Sequence, residues 1–309
     1  MLTGGIGYTY GLSSTQPFTQ INVPGFAYNV EGKKQGGVSV PAPNVAVKIS
    51  GTLPTGFTAG ATATRRAIVT NAKCNDCHAA LGVFTAKVYH AAQRNDAPTC
   101  TFCHNVNRVN SGWGVNIKEA VHGIHAGAKR VNKFSWEASA GAKYWEITYP
   151  AILNDCEACH VAGSYDFSVK ANADAVPNLL WTTVATGTVP NPVNVVVTGT
   201  EAIPGTYWSP FVTAGAFYGS GFSTDFKNTS LLAGGVSKLE AAGTTLVSSP
   251  ITSACGACHD TPVAIAHFKG NGGTFYQTRS SALTTNVEQC LICHGTGKIA
   301  DIRAVHTTF

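Results

Sequence analysis

Apolar and polar residues alternate over short stretches in the first part of the chain. Residues 25–30 and 38–51 show this alternation between turn residues, and Val45-Ala46-Val47-Lys48-Ile49 ahead of Pro54 is the clearest run. An alternation with a period of two, bounded by Gly and Pro, is typical of short β-strands. We therefore predict that residues 1–66 form a short β-strand segment, part of a β-domain.

Beyond residue 66 the apolar positions form clusters that favour short helices. The pattern predicts a helix over residues 67–83 and a last short helix over residues 301–306. Residues 116–127 predict a further short helix, which ends at Gly127 because glycine commonly follows the last helical residue. Each predicted helix lies close to a cysteine or histidine, which directs attention to those residues.

Every cysteine of the chain belongs to a C-x-x-C-H pentapeptide. The 10 cysteines form five such motifs, at residues 74–78, 100–104, 156–160, 255–259 and 290–294. This is the attachment signature of c-type haem, in which two thiols bond to the porphyrin and the adjoining His ligates the iron. We predict five covalently attached haem c groups. They are bound by Cys74, Cys77, Cys100, Cys103, Cys156, Cys159, Cys255, Cys258, Cys290 and Cys293, with the iron ligands His78, His104, His160, His259 and His294.

The remaining histidines equal the motifs in number. The chain has 10 His, and those outside the motifs are His90, His122, His125, His267 and His306. Methionine is the usual alternative sixth ligand, but the single Met is Met1, far from every motif. We predict five bis-His, six-coordinate, low-potential haems. Such irons have no open coordination position for a small substrate, and they pass electrons.

His122 and His125 lie three residues apart on one predicted helix. Residues at this spacing share a helical face, with about 5–6 Å between their Cβ atoms. That is too close for both to bind opposite sides of one iron, so we expect each to ligate a different haem. The alternative is a Zn²⁺ or other metal site at the two imidazoles, although no spare cysteine exists to complete it.

Charge and composition argue against several classes of protein. Only 12% of residues are charged, the formal net charge is +5, and no Lys/Arg block stands out beyond Arg65-Arg66 and Lys129-Arg130. A nucleic-acid partner is therefore not indicated. Thioether attachment takes place outside the bacterial inner membrane, so we expect an exported protein. The sequence shows no transmembrane span and no leader-like start, and we expect the chain to be a piece of a longer precursor.

The predicted fold class is a multihaem cytochrome c, loop-rich, with short α-helices around five haems and a small N-terminal β segment. We place the domain boundary after residue 66 and assign residues 67–309 to a pentahaem domain. Within it, residues 161–250 contain no Cys or His and are rich in Thr, Val, Gly and Pro, which predicts a long loop and strand insertion. This insertion either covers neighbouring haems or forms a contact surface for another subunit.

The residues around the motifs resemble those of one family in particular. The similar features are Arg65-Arg66 before the first motif, Cys103-His104-Asn105, His122-Gly123-Ile124-His125-Ala126-Gly127, Tyr149-Pro150 before the third motif, and Cys290-Leu291-Ile292-Cys293-His294-Gly295 with His306. Together they resemble the C-terminal pentahaem half of the OmcA/MtrC family of outer-surface decahaem cytochromes, over about residues 64–309. The resemblance implies that the five spare His are distal haem ligands. The chain departs from the family in carrying five motifs instead of ten.

The resemblance implies extracellular electron transfer without enzymatic turnover, with terminal metal or mineral reduction by outer-sphere transfer. The partners would be other multihaem cytochromes, minerals or soluble electron shuttles. The location would be extracellular or at the outer-membrane surface of a bacterium, after maturation in the periplasm. Two alternatives stay open: a subunit of a cytochrome filament formed by self-association, and a multihaem reductase, which would need a five-coordinate haem.

Overall fold

The structure is a computed structural model. It describes residues 68–78, 97–165, 181–193, 207–221, 241–285 and 287–306, together with the strand backbones at 2–5, 9–12, 20–21, 37–39 and 44–47. The chain divides into two compact units. The first contains Met1–Phe102 and Cys156–Asp174, and the second contains Cys103–Asp155 and Ala175–Phe309.

The described strands of the first unit are short and antiparallel. They are β1 Leu2–Gly5, β2 Thr9–Leu12, β3 Gln20–Ile21, β4 Gly37–Ser39 and β5 Asn44–Val47. Strand β1 pairs with β5, with Leu2 opposite Val47. Strand β2 lies between β3 and β4. The strand predicted at residues 25–30 lies outside the described residues.

Helix α1 spans Asn71–Asn75 and starts later than the sequence predicts. Thr70 is its N-cap, and the Thr70 hydroxyl accepts a hydrogen bond from the Lys73 N–H at 3.4 Å. The prediction of helix was wrong for residues 68–70, because they pair with a segment far along the chain. Val69 forms a β-bridge with His160, and the Val161 N–H donates to the Ile68 carbonyl at 2.8 Å. Residues 79–83 lie outside the described part of the chain.

The second unit is built on a three-stranded antiparallel sheet in its interior. The sheet has the order β10 (Gln277–Thr278), β9 (Leu246–Ser248) and β8 (Thr182–Ala185), and every residue of β8 and β9 is buried. Two of these strands come from the interval 161–250. The interval therefore contributes part of the folded core. Its composition predicted strands, but as part of an insertion that covers haems or contacts another subunit. The buried Thr182 hydroxyl is satisfied by Ser253 Oγ at 3.1 Å.

A hairpin and an aromatic cluster adjoin this sheet. Strands β6 (Val109–Asn110) and β7 (Trp113–Gly114) are joined by Ser111 and Gly112, which both have positive φ, as a tight two-residue hairpin turn requires. Trp113 packs edge-on against Phe134, with 5.0 Å between the ring centres. The Arg130 guanidinium lies over both rings. These contacts bring the segment around residue 130 against the hairpin.

The described α-helices of the second unit are short. They are α2 Ile117–His125, α3 Pro250–Cys255, α4 Pro262–Gly270, α5 Arg279–Thr285, α6 Leu291–His294 and α7 Ile302–His306. Single 3-10 turns lie at Gly127–Lys129, Ala138–Ala140 and Tyr144–Glu146. Helices α3 and α4 both start with proline, whose fixed φ suits the first helical position.

Helix α2 confirms the helix predicted over residues 116–127. Gly127, however, has a different role from the predicted one. Asn116 caps the helix by accepting a hydrogen bond from the Glu119 N–H at 3.2 Å. Gly127 follows the end of the helix without a positive φ. A Cβ at Gly127 would lie 1.9 Å from the Tyr144 carbonyl oxygen, so close packing requires glycine there.

Candidate functional site

The motifs at residues 74–78, 156–160, 255–259 and 290–294 fold into the same tight turn. The N–H of the motif His donates to the carbonyl of the first Cys at 2.8–2.9 Å, and the N–H of the second Cys donates to the same carbonyl at 3.1–3.3 Å. One helical turn places residues three and four apart on the same side. Each turn therefore places both thiols and the imidazole on one side of the chain. The remaining motif starts in the 3-10 helix Ala97–Phe102.

In the first unit, the first and third motifs lie side by side. The Lys73 ammonium donates a hydrogen bond to the carbonyl of Glu157, which lies within the third motif. Burial raises the pKa of the Cys74 thiol, and the nearby Cys159 thiol is the next cause. Together with the bridge between Val69 and His160, these contacts hold the two attachment sites next to each other.

In the second unit, His104 of the second motif is fixed beside the start of helix α2. The Ile117 N–H donates to the His104 carbonyl at 2.9 Å. The imidazole lies edge-on to Trp136, with ring centres 6.0 Å apart. Helix α2 carries His122 and His125, and the His125 ring contacts Tyr149 at 5.7 Å. This part of the unit thus concentrates three of the predicted iron ligands.

Four histidines near the C-terminus form two pairs. The ring centres of His259 and His306 are 6.0 Å apart, and those of His267 and His294 are 6.1 Å apart. With a metal–nitrogen bond of about 2.0–2.1 Å and a ring radius of about 1.1 Å, two imidazoles on opposite sides of one metal have centres about 6.3 Å apart. Each pair joins a motif His to a His outside the motifs, at a separation that accommodates one iron.

Hydrogen bonds at Nδ1 set the tautomer of several imidazoles. His104, His125, His294 and His306 each place Nδ1 2.8–3.0 Å from a backbone carbonyl oxygen. Because a carbonyl only accepts, Nδ1 carries the proton and the Nε2 lone pair is available to a metal. Burial also lowers the pKa of His259, with His306 as the next cause. The neutral imidazole is the form that ligates.

Large apolar side chains around the last two motifs are exposed to solvent. Ile299 is 95% exposed, Val263 79% and Ile292 67%. Single exposed apolar residues are ordinary, but a concentration of them marks a surface that something covers. Attachment of an apolar porphyrin at the motifs 255–259 and 290–294 would explain why these side chains are exposed beside them.

A buried ion pair fixes the fourth motif to the segment after helix α2. The Asp260 carboxylate, directly after His259, accepts hydrogen bonds from the Val131 and Asn132 N–H groups at 2.9 and 2.7 Å. Arg130 Nε lies 3.4 Å from the same carboxylate, and Arg130 Nη1 donates to the Ala257 carbonyl at 2.6 Å. Residues 130–132 therefore hold the fourth motif at Ala257 and at Asp260, the residue that follows it.

A second group of charges lies between helices α2 and α3. The Lys118 ammonium donates to the Pro250 carbonyl at 3.0 Å, and burial lowers the pKa of Lys118 against the opposing charges of Glu119 and Glu288. Burial raises the pKa of Glu119 to about 7. A Cβ at Gly114 would lie 2.0 Å from Glu119 Oε2, so glycine makes room for this carboxyl.

The structure brings together some of the predicted ligands and also residues that the sequence did not single out. His90 lies outside the described residues. In the described part of the chain, no group of three or more His, Cys, Asp or Glu side chains is placed to hold a metal ion. The sequence patterns did not single out Asp260 or Glu288. The only local signal was that Asp260 directly follows one motif and that Glu288 lies two residues before another.

Within the described residues, no helix has the length and apolar character needed to cross a membrane.

Comparison with known proteins gives one family. The family model of "Outer membrane cytochrome MtrC/MtrF-like, domains II/IV" matches residues 66–201 and 221–307. Among solved structures, the crystal structure of the outer membrane decaheme cytochrome OmcA matches with 18% sequence identity and a TM-score of 0.35, over 89% of this chain. The chain spans 32% of that protein's chain. No curated protein matches the chain.

Proposed function

Because the chain belongs to the family of MtrC/MtrF-like outer membrane cytochromes, we propose that it transfers electrons outside the cell through five haem c groups. The resemblance drawn from the motifs is confirmed, and so is the multihaem cytochrome fold with short helices and some strands. Membership of this family supports electron transfer as the activity, in place of classical enzymatic turnover. We also propose the number of haems and the assignment of their ligands.

The two histidine pairs are the observation that carries this proposal. We assign His259 and His306 to the iron of the fourth haem, and His294 and His267 to the iron of the fifth. The ring separations of 6.0 and 6.1 Å support this assignment, because they leave room for one metal between each pair. The hydrogen bonds of His294 and His306 at Nδ1 support it independently, since they leave Nε2 available.

The remaining three haems take the other ligands. His78, His104 and His160 follow the cysteines of their motifs and are proposed as proximal ligands. His90, His122 and His125 are proposed as distal ligands, with His122 and His125 serving different haems. Helix α2 supports the last point, because it places them three residues apart on one helix. The alternative of a Zn²⁺ site at these two residues would need further ligands.

The protein residues perform the binding and the positioning. Haem supplies one-electron chemistry when bound. Each motif turn holds two cysteines and a histidine toward one side, and the carbonyls that accept hydrogen bonds from Nδ1 fix the orientation and the tautomer of the imidazoles. If two His held each iron, no coordination position would remain for a substrate. The proposed activity is therefore outer-sphere electron transfer, and terminal metal or mineral reduction would proceed in the same way.

We further propose that electrons pass to other multihaem cytochromes, minerals or soluble shuttles at the outer-membrane surface or outside the cell. Haem attachment would take place in the periplasm. The description of the matching family as outer membrane cytochromes supports this location. The family match starts at residue 66, which supports a pentahaem domain over residues 67–309.

The test uses holoprotein made in a host that attaches c-type haem. Intact mass and a pyridine haemochrome assay should give five haems per chain, and the oxidised spectrum should be entirely low-spin. His306→Ala should convert one haem in five to a high-spin form, whereas Arg303→Ala on the same helix should convert none. A wild-type haem that binds cyanide rapidly would favour the reductase alternative. Electron microscopy of the same material separates single particles from filaments.

A further inference from the structure

The Glu288 carboxylate caps the N-terminus of helix α3, which ends at the first cysteine of the fourth motif. Glu288 Oε1 accepts hydrogen bonds from the Thr252 N–H at 2.7 Å, from the Thr252 hydroxyl at 2.8 Å and from the Ser249 hydroxyl. Oε2 accepts from the Ile251 N–H at 2.9 Å. All four partners donate, and the two carboxylate oxygens accept. Helix α3 ends at Cys255, so the carboxylate and the first attachment cysteine lie at opposite ends of one short helix.

Glu288 also lies two residues before Cys290, the first cysteine of the fifth motif. The Gln289 N–H between them donates to the Asn271 carbonyl at 3.0 Å, and Asn271 follows the helix that carries His267. One side chain therefore links the attachment segment of the fourth haem to that of the fifth, while its neighbour links the fifth to its distal ligand.

The negative charge of Glu288 acts electrostatically on both Cys255 and Cys290. The pKa of the Cys255 thiol is raised to about 12, first by burial, then by Cys290 and then by Glu288. The pKa of the Cys290 thiol is raised by burial and then by Glu288. In the holoprotein these sulfur atoms are thioethers that do not titrate. The same negative charge then faces the groups bonded to them.

The positive charge of Lys118 lies close enough to Glu288 for the two charges to interact. The Lys118 ammonium binds the Pro250 carbonyl at the start of the same helix, at 3.0 Å, and its charge acts on Cys255. Among the charged groups described here, Lys118 is thus placed to act against Glu288 at the fourth motif.

We propose that Glu288 is a positioning residue that joins the fourth and fifth attachment sites and lowers the reduction potentials of both haems. The inference rests on the proposed function, because it requires haem at both motifs. Negative charge favours the ferric over the ferrous form. At an effective dielectric constant of about 20, a unit charge about 12 Å from a redox centre changes the ratio of its oxidised to its reduced form about tenfold, which is about 59 mV for a one-electron couple.

The experiment compares holoprotein variants by spectroelectrochemical titration, after intact mass has established the haem count. Glu288→Gln should raise two of the five midpoint potentials by about 59 mV each, the equivalent of a tenfold ratio. Glu288→Asp keeps the charge and should leave the potentials close to wild type. Glu146→Gln, an exposed carboxylate in the same unit, is the matched control and should shift none.

Lys118→Met provides a test with the opposite sign, in case Glu288→Gln does not fold. It should lower at least one potential, and a potential that is unchanged or raised would overturn the proposal. Equal shifts in Glu288→Gln and Glu288→Asp would show that Glu288 acts through structure alone and would overturn it too. Five haems with unchanged potentials in Glu288→Gln would refute this inference only. Fewer than five haems in the wild type would refute the proposed function itself.

Discussion

Asp260→Ala should destabilise the protein more than any exposed carboxylate substitution. The Asp260 side chain is almost fully buried and accepts hydrogen bonds from two backbone N–H groups while it pairs with Arg130. Alanine leaves the Val131 and Asn132 N–H groups without their acceptor. It also removes the counter-charge of Arg130, whose Nε keeps its hydrogen bond to the Asn132 carbonyl at 3.1 Å. Because the Arg130 side chain is itself only 4% exposed, water can hydrate its charge only slightly once the carboxylate is removed.

The cost follows from the loss of one partner of a buried pair. Breaking such a pair costs about 3–5 kcal/mol, because an uncompensated charge stays buried. We expect a total loss of about 4 kcal/mol in the free energy of unfolding, which includes the two backbone N–H groups that lose their acceptor. For a domain of about 150–250 residues, each kcal/mol lowers Tm by about 2–4 °C, so Tm should fall by about 8–16 °C.

The assay is thermal unfolding of the holoprotein followed by far-ultraviolet circular dichroism. Glu146→Gln serves as the control, because it breaks an ion pair with Lys143 whose side chains are 60% and 46% exposed. That variant should change the free energy of unfolding by less than about 0.5 kcal/mol. If Asp260→Ala and Glu146→Gln lowered Tm equally, the reasoning on the buried pair would be refuted.

Two further predictions concern packing and pH. Gly127→Ala should cost about 1–3 kcal/mol of stability in a thermal melt, because its Cβ would meet the Tyr144 carbonyl at 1.9 Å; Gly270→Ala, with open space around it, should cost nothing, and equal losses would contradict the packing argument. Burial raises the pKa of Glu119 to about 7, above the value of about 4.3 in an unfolded chain. Between these pH values the unfolded chain releases the proton first, so stability falls as pH rises to about 7 and then levels. Glu119→Gln should remove this fall in denaturant titrations across pH, and an unchanged pH dependence would count against it.

Local patterns in the sequence predict the local features of the site. The motif spacing needs only one turn of chain, so the hydrogen bond from His259 N–H to Cys255 O follows from a stretch of five residues. The same holds for the short helices that end at His125 and His306, which were predicted from the residues of each segment alone. The pairing of His259 with His306 was not predicted, because it depends on how the segments between them fold.

Features that depend on distant segments were not predicted. Strand β8 is a run of small and β-branched residues without alternation, and its burial depends on β9, more than sixty residues later. Similarly, nothing local to Glu288 indicates that it caps a helix that starts at Pro250. The late start of helix α1 has the same origin, since the bridge between Val69 and His160 competes with helix formation.

The iron positions in the holoprotein test the central claim most directly. Anomalous diffraction at the iron edge, or a cryo-electron microscopy map that resolves side chains, would locate each metal and its ligands. We predict one iron between His259 and His306 and another between His267 and His294, with His122 and His125 on two different irons. An iron bound by any other partner of His259 or His294, or an iron with an open axial position, would contradict the account.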